Sequence, residues 1–418
     1  MPIIRLAFLS LINRRFTAIL TIATLALSTC LLLGVERLRT EARSGFTNTI
    51  AGTDLIVGAR TSGVSLLLYS VFRIGNPTNN VSWRSYEAMA HDPRVAWTIP
   101  LSLGDSHRGF AVLGTTPEYF TRYRYARDHG LTFTEGGPFV DLYDAVLGAE
   151  VAQALGYRLD QSVVVAHGAG PVALMEHGDK PFRVVGILER TGTPVDRTVH
   201  LSLEAIEAIH VDWQSGMPSR EHVSAEQARA ISLKPKAITA FLVGLHARVH
   251  TFQVQRKVNE YREEPLTAVI PGVALQELWD TIGVAEQALL AMSALVILAG
   301  LMGMQTALLA GLNERRREMA ILRAVGAGPR HIFALFMGEA AVLTTLGALT
   351  GLALLYALLA LAQPFIESQL GLLIPLAPPT LREAALLGAI LIAGLLSGAV
   401  PSYRAYRYSV ADGMTIRL

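Results

Sequence analysis

The sequence holds a single cysteine, Cys30, inside an apolar run, which excludes an intrachain disulfide. Any domain it builds outside a membrane must therefore be held together by packing. Charge is scarce as well: Asp, Glu, Lys and Arg make up 17% of the 418 residues, against about 25% in an ordinary soluble domain. The deficit argues for membrane-spanning segments. There is no strong excess of either sign, and a formal net charge of +2 gives no case for nucleic-acid binding. Catalytic motifs are missing too. No G-x-x-x-x-G-K-[ST] occurs, so the chain has no P-loop cradle for ATP phosphates. H-E-x-x-H, paired C-x-x-C and G-x-S-x-G are also absent. The stretch His167-Gly-Ala-Gly170 outlines an oxyanion loop but, without a nucleophile elbow, reads as a turn.

The sequence is rich in long apolar runs. A bilayer core of about 30 Å needs roughly 20 apolar residues in a helix. Segments 16–35, 282–305, 332–361 and 384–400 qualify, the second interrupted only by Glu286 and the third by Glu339. The first is preceded by basic residues, is too long for a signal-peptide core and lacks a small-residue cleavage site, so it reads as a retained span.

Orientation follows from the short segments that keep Lys and Arg. Arg5, Arg14 and Arg15 precede the first run; Arg315, Arg316, Arg317, Arg323 and Arg330 lie between the second and third; Arg404, Arg407 and Arg417 follow the fourth. The connection after the third run, Gln363 to Thr380, has none. Both ends and segment 306–331 are thereby expected in the cytosol, with 36–281 and 362–383 outside. Arg37, Arg39 and Arg43 argue the other way but belong to the long insert, where such charges weigh less. Residues 1–15 suit an amphipathic helix on the inner leaflet, and 401–418 form a cytosolic tail.

The insert is long enough for one or two compact subdomains of mixed α and β structure. Strands are predicted at Asp54–Gly58, Gly109–Leu113, Ser162–Ala166, Phe182–Gly186 and Ala237–Gly244, and helices at Ser82–Ala90, Glu150–Leu155, Leu203–Ile209 and Thr251–Arg262. The polar stretch Val211–Ser232 reads as a loop. Pro271-Gly272 reads as a break, after which one long helix runs from Ala274 into the second apolar run. Ten of the eleven histidines fall in the insert. His246 and His250 stand at i, i+4 and are the candidate metal ligands, although on the end of a strand that spacing does not converge. Gly347/Gly351 and Gly394/Gly398 form G-x-x-x-G pairs, suited either to packing within the chain or to dimerisation.

The segment 314–327, E-R-R-R-E-M-A-I-L-R-A-V-G-A, is basic, and Gly326, Gly328 and Pro329 suit a stop. It also carries an apolar stripe, Met319, Ile321, Leu322 and Val325, that a solvated loop would not need. Followed by a helix containing Gly338-Glu-Ala340, it resembles the coupling segment of FtsX-like ABC transporter permeases of the MacB and LolC/LolE type. Arg5-Leu-Ala-Phe8, Asn13-Arg-Arg15, Asp54-Leu-Ile-Val57, Ala145–Gly156, Phe182–Leu188 and Pro401-Ser-Tyr-Arg-Ala405 resemble other parts of that family in order. Regions 58–82 and 211–232 have no counterpart in its best-known members.

The resemblance implies a membrane protein of four transmembrane helices with a large α+β MacB-like periplasmic core domain between the first and second, in the bacterial inner membrane. It implies a permease subunit without enzymatic activity or a bound cofactor of its own, working as a homodimer or closely related heterodimer. ATP and Mg would sit on a separate cytosolic ATPase subunit. Glu314, Arg315, Arg316, Arg317, Glu318, Met319, Ile321, Leu322 and Arg323 would form the ATPase contact, with Met319, Ile321 and Leu322 filling its groove. ATP-driven closure would then move the periplasmic domain to export or extract a lipoprotein, a peptide or a small molecule, with membrane lipid, an adaptor or a lipoprotein as further partners. The sequence is also compatible with two other readings: an FtsX-like regulator of a periplasmic enzyme, and a membrane-anchored enzyme.

Overall fold

The computed structural model describes residues 10–12, 14–126, 128–168, 175–176, 178–214, 217–218, 223–314, 316–370 and 376–407. The expected amphipathic helix at 1–15 falls largely outside them. The chain divides into two compact units, one holding most of the four apolar helices and one spanning Arg43–Ile282 together with, among the described residues, 367–370.

Among the described residues, four helices are long and apolar enough to cross a membrane. They run Arg15–Thr49, Pro271–Glu314, Pro329–Leu370 and Leu381–Arg407. Each extends past the apolar run that announced it, because Glu, Arg, Leu and Ala go on favouring helix after hydropathy has fallen. The second, 44 residues long, covers about 66 Å at 1.5 Å per residue. It starts at Pro271, so Pro271-Gly272 is the helix's first turn rather than a break: proline's fixed φ suits that position and its missing N–H costs nothing there.

Glycines set the contacts among these helices. A Cβ on Gly347 would lie 2.6 Å from the Leu25 Cβ, and one on Gly351 2.5 Å from the Ala26 carbonyl oxygen. A Cβ on Gly394 would strike Thr344, and one on Gly398 would strike Ala340. Both G-x-x-x-G pairs are thus used inside one chain, the first seating the third helix on the first helix and the second seating the fourth on the third. Ser28 adds a hydrogen bond from its hydroxyl to the Val296 carbonyl at 3.3 Å, and Ser397 one to the Leu301 carbonyl at 3.2 Å.

The other unit is built on a mixed sheet whose strands lie in the order Leu266–Val269, Leu55–Ala59, Ala240–Leu245, Val95–His107, Phe110–Thr115, Thr198–Ser202, Asp144–Leu147, Phe182–Leu188 and Phe133–Gly136. Most neighbours are antiparallel; Thr198–Ser202 runs parallel to Phe110–Thr115, and Phe182–Leu188 parallel to Asp144–Leu147. The 13-residue strand Val95–His107 ties the sheet's halves together, pairing with Ala240–Leu245 through its first part and with Phe110–Thr115 through its second. One half packs Leu55, Val57, Phe241, Val243, Val254 and Val258 beneath it; the other packs Val112, Ala145, Leu147, Phe182, Val184 and Val199. Of the predicted strands, Ser162–Ala166 shortens to Ser162–Val163, with Ala166–His167 pairing elsewhere. The stretch read as a loop contains a short hairpin, Trp213–Gln214 with Met217–Pro218, and a helix, Ala225–Arg229. Ser224 and Gln227 cap that helix reciprocally, and the S-x-x-Q spacing was the missed signal.

His200, on the sheet, is fully buried among Tyr119 and Phe120 and hydrogen-bonds only weakly, from Nδ1 to the Val146 carbonyl at 3.3 Å. Burial, aided by the Arg73 charge, pushes its imidazole down to about 3. The unfolded chain takes up this proton near the ordinary histidine value of about 6.5, so the folded state is favoured above that pH and loses ground as pH falls toward 3, by up to about 1.4 kcal/mol per unit. All four tryptophans, Trp83, Trp97, Trp213 and Trp279, belong to this unit. Melting the full chain by tryptophan fluorescence should therefore show a midpoint that drops between pH 7 and 5, with a shallower drop in His200→Leu. An identical pH slope in the two proteins would assign the loss to other groups.

Candidate functional site

Between the second and third apolar helices lies a separate short helix, Arg316–Ala324. It is closed by two backbone hydrogen bonds, Gly326 N–H to the Arg323 carbonyl at 3.0 Å and Ala327 N–H to the Leu322 carbonyl at 2.9 Å. This arrangement needs a left-handed residue, and Gly326 supplies it with φ of 103°. Pro329 then opens the next helix.

The apolar stripe on this helix divides between two faces. Met319 is buried among Leu312, Ile332, Phe336 and Ala405, which fastens the short helix to the ends of the long ones. Arg323 donates to the Tyr406 carbonyl at 2.9 Å, a second tie. Ile321 and Val325, one turn apart, are 57% and 84% exposed, and Leu322 is half-buried between the faces. Met319, expected in a partner's groove, is therefore engaged within its own chain; a stripe read along the sequence does not say which flank packs inward. Glu318 is exposed. Arg315 lies outside the described residues, as do the side chains of Glu314, Arg316 and Arg317.

A compact ion cluster stands near the other ends of these helices. Arg37 is 3% exposed; it donates to the Ala377 carbonyl at 2.7 Å and the Tyr356 hydroxyl at 3.1 Å, and pairs with Glu383 at 3.5 Å. Glu36, 2% exposed, takes Arg382 at 3.0 Å and Arg39 at 3.3 Å, and Glu286 lies 3.9 Å from Arg39. Glu383 also accepts the Thr380 N–H at 2.7 Å, capping the fourth helix. Arg37 and Arg39, whose position opposes the charge rule, are thus matched by acids. Glu339, the other acid within an apolar run, is 3% exposed and borders a cavity of about 340 Å³ with Arg14, Thr21, Phe336 and Leu343.

Of the candidate metal ligands, His246 is exposed just beyond the strand Ala240–Leu245, and His250 ends the turn Arg248–His250. Neither belongs to a group of three potential ligands among the described residues; the group found there is Asp105, His167 and His210. The Asp105 Oδ1 is 3.2 Å from His167 Nδ1 and 3.4 Å from His210 Nε2, and the two nitrogens are 3.2 Å apart. No spacing in the sequence announces this group, whose members lie 62 and 43 residues apart. His167, read as part of a turn, instead pairs in register with Asp105 across two strands.

Residues 290–410 match the family model described as FtsX-like permease C-terminal, and residues 18–260 match MacB-like periplasmic core domain. A pyoverdine export ATP-binding/permease protein PvdT of Pseudomonas syringae pv. tomato is 24% identical over 353 residues, 81% of this chain and 49% of that protein. A macrolide export ATP-binding/permease protein MacB of Nitrobacter winogradskyi is 26% identical over 313 residues, 72% of this chain and 43% of that protein. The chain thus spans about half the length, or less, of these curated relatives. The periplasmic region of MacB from Actinobacillus actinomycetemcomitans aligns over 58% of this chain and 97% of that one, at 11% identity and a TM-score of 0.33.

Proposed function

We propose, on the premise that this chain belongs to the FtsX/MacB family of ABC transporter permeases, that it is a permease subunit converting ATP-driven motion in the cytosol into movement of its large domain outside the inner membrane. The observation that carries the reading is the short helix Arg316–Ala324, pinned by Met319 to the long helices while Ile321 and Val325 point away bare. A bare apolar pair in an arginine-rich sequence segment is what a partner with an apolar groove and an acidic rim would take up. The arginine distribution supports placing this helix in the cytosol and the four apolar helices across the membrane. The helix Pro271–Glu314 runs unbroken from the external unit's sequence to Glu314, close in sequence to the short helix, which supports it as the mechanical link.

On this reading the ATPase, with its ATP and Mg, is a cytosolic partner, and two permease subunits, identical or closely related, share it. Cargo, whether a lipoprotein, a peptide or a small molecule, is handled outside the membrane. In reconstituted vesicles, Arg316→Glu with Arg317→Glu should insert normally yet lose most of the ATPase coupling. Coupling unchanged by this reversal would reject the short helix as the contact.

A further inference from the structure

We propose that Asp105, His167 and His210 form a four-coordinate site for a divalent transition-metal ion of the zinc type, with its fourth position open to solvent or a ligand. The inference concerns the external unit alone and does not depend on the transport reading.

The geometry carries it. Zinc bonds to imidazole nitrogen and carboxylate oxygen of about 2.0–2.2 Å in a tetrahedron put neighbouring ligand atoms about 3.3–3.5 Å apart. The three atoms here form a nearly equilateral triangle of 3.2, 3.2 and 3.4 Å. The ligands come from three elements, two of them paired strands and the third a helix. Asp105 sits in a bulge of the strand Val95–His107, where Gly104 and Asp105 together oppose Val112. Gly104, with φ of 152°, makes the turn of the chain there, and such a bulge re-aims the side chain that follows. His167 is held opposite Asp105 by strand pairing, reinforced by the Ser106 hydroxyl donating to the Gly168 carbonyl at 2.6 Å. His210 ends the helix Leu203–His210.

The donor set suits the ion. His210 Nδ1 lies 2.8 Å from the Ile206 carbonyl, to which it donates. In the neutral ring that fixes the tautomer and leaves the Nε2 lone pair facing the other two ligands, as imidazole ligands of zinc are commonly arranged. The nearby His107 makes the contrast: its Nδ1 is 2.6 Å from the Val164 carbonyl and its Nε2 3.1 Å from the Tyr157 hydroxyl, so both nitrogens serve the fold. Asp105 is buried, while the His167 side chain is 41% exposed, which leaves an entry path on that side.

The test uses the full chain in detergent, without a histidine tag and stripped by a chelator, titrated with Co²⁺ and then Zn²⁺. The expected result is one Co²⁺ per chain with the intense visible absorption of four-coordinate cobalt, erased by an equivalent of Zn²⁺. Asp105→Asn, His210→Gln and the half-exposed His167→Ala should each bind about tenfold more weakly or worse, while His246→Ala with His250→Ala should bind as wild type. Tryptophan melting of each variant shows whether it remains folded; His167→Ala, being nearest the surface, keeps the test decisive if the others do not. Absence of saturable one-to-one binding, a weak six-coordinate spectrum, or wild-type affinity in a folded His167→Ala would overturn the proposal.

Discussion

Under the proposed coupling, replacing Ile321 and Val325 together by aspartate should detach the permease from a cytosolic ATPase while leaving its own fold intact. Both side chains are largely exposed in the single chain, so the change should cost the permease only about 1–2 kcal/mol, from aspartate's weak helix propensity and its place at the helix C-terminus. If they enter an apolar groove, each contributes on the order of 1.5–3 kcal/mol on burial, and a carboxylate in the same place would add a desolvation cost. A fall in ATPase affinity of at least about a hundredfold, roughly 2.7 kcal/mol, is therefore expected. Binding of detergent-purified permease to the ATPase measures it. Met319→Ala behaves differently: it empties a packed position among Leu312, Ile332, Phe336 and Ala405 and should cost the permease itself about 2–5 kcal/mol. Near-native affinity in the aspartate double variant, with Met319→Ala alone impairing binding, would move the contact away from the exposed face.

The second large effect concerns the buried ions. Arg37→Ala takes the cation from the buried Glu383 carboxylate, leaving it the Thr380 N–H, and removes the donor to the Ala377 carbonyl, which should destabilise the helical unit by about 3–5 kcal/mol. Arg37→Met with Glu383→Gln leaves no bare charge and should recover much of that loss, since a buried ion pair gives little net stability over an apolar replacement. Thermal unfolding followed by far-ultraviolet circular dichroism would read both. Equal stability of wild type and Arg37→Ala would mean that the cluster is open to water. The positive-inside rule treats an arginine as costly on the far side of a membrane because it crosses as a charge. Arg37 and Arg39 do not test it as isolated charges, for Glu36, Glu286 and Glu383 accompany them in the folded chain.

The four long helices were legible because lipid demands some twenty apolar residues in a row, a signal carried by consecutive positions. Their true ends were not, since helix propensity outlasts hydropathy. In the external unit, predicted strands such as Asp54–Gly58 and Phe182–Gly186 correspond closely to Leu55–Ala59 and Phe182–Leu188, whose apolar residues are packed. The longest strand, Val95–His107, escaped notice: Pro100 and Gly104 both speak against a strand when read locally. Pro100 is tolerated within the pairing to Phe241, and Gly104 makes a bulge. The Asp105, His167 and His210 group was illegible for a related reason. Its members meet through strand pairing and a helix end, and no local periodicity encodes such a meeting. The G-x-x-x-G pairs were visible in the sequence, but only the positions of Leu25, Ala26, Ala340 and Thr344 assign them to packing within the chain.

The proposed coupling requires the short helix to face the cytosol, and cysteine labelling in sealed vesicles measures that directly. In a Cys30→Ser background, Ile321→Cys and Val140→Cys place one thiol on the short helix and one at a 94% exposed position of the external unit. A membrane-impermeant maleimide should label Val140→Cys in right-side-out vesicles and Ile321→Cys only in inverted ones. Labelling of Ile321→Cys from the same face as Val140→Cys would contradict the topology and the proposed coupling together.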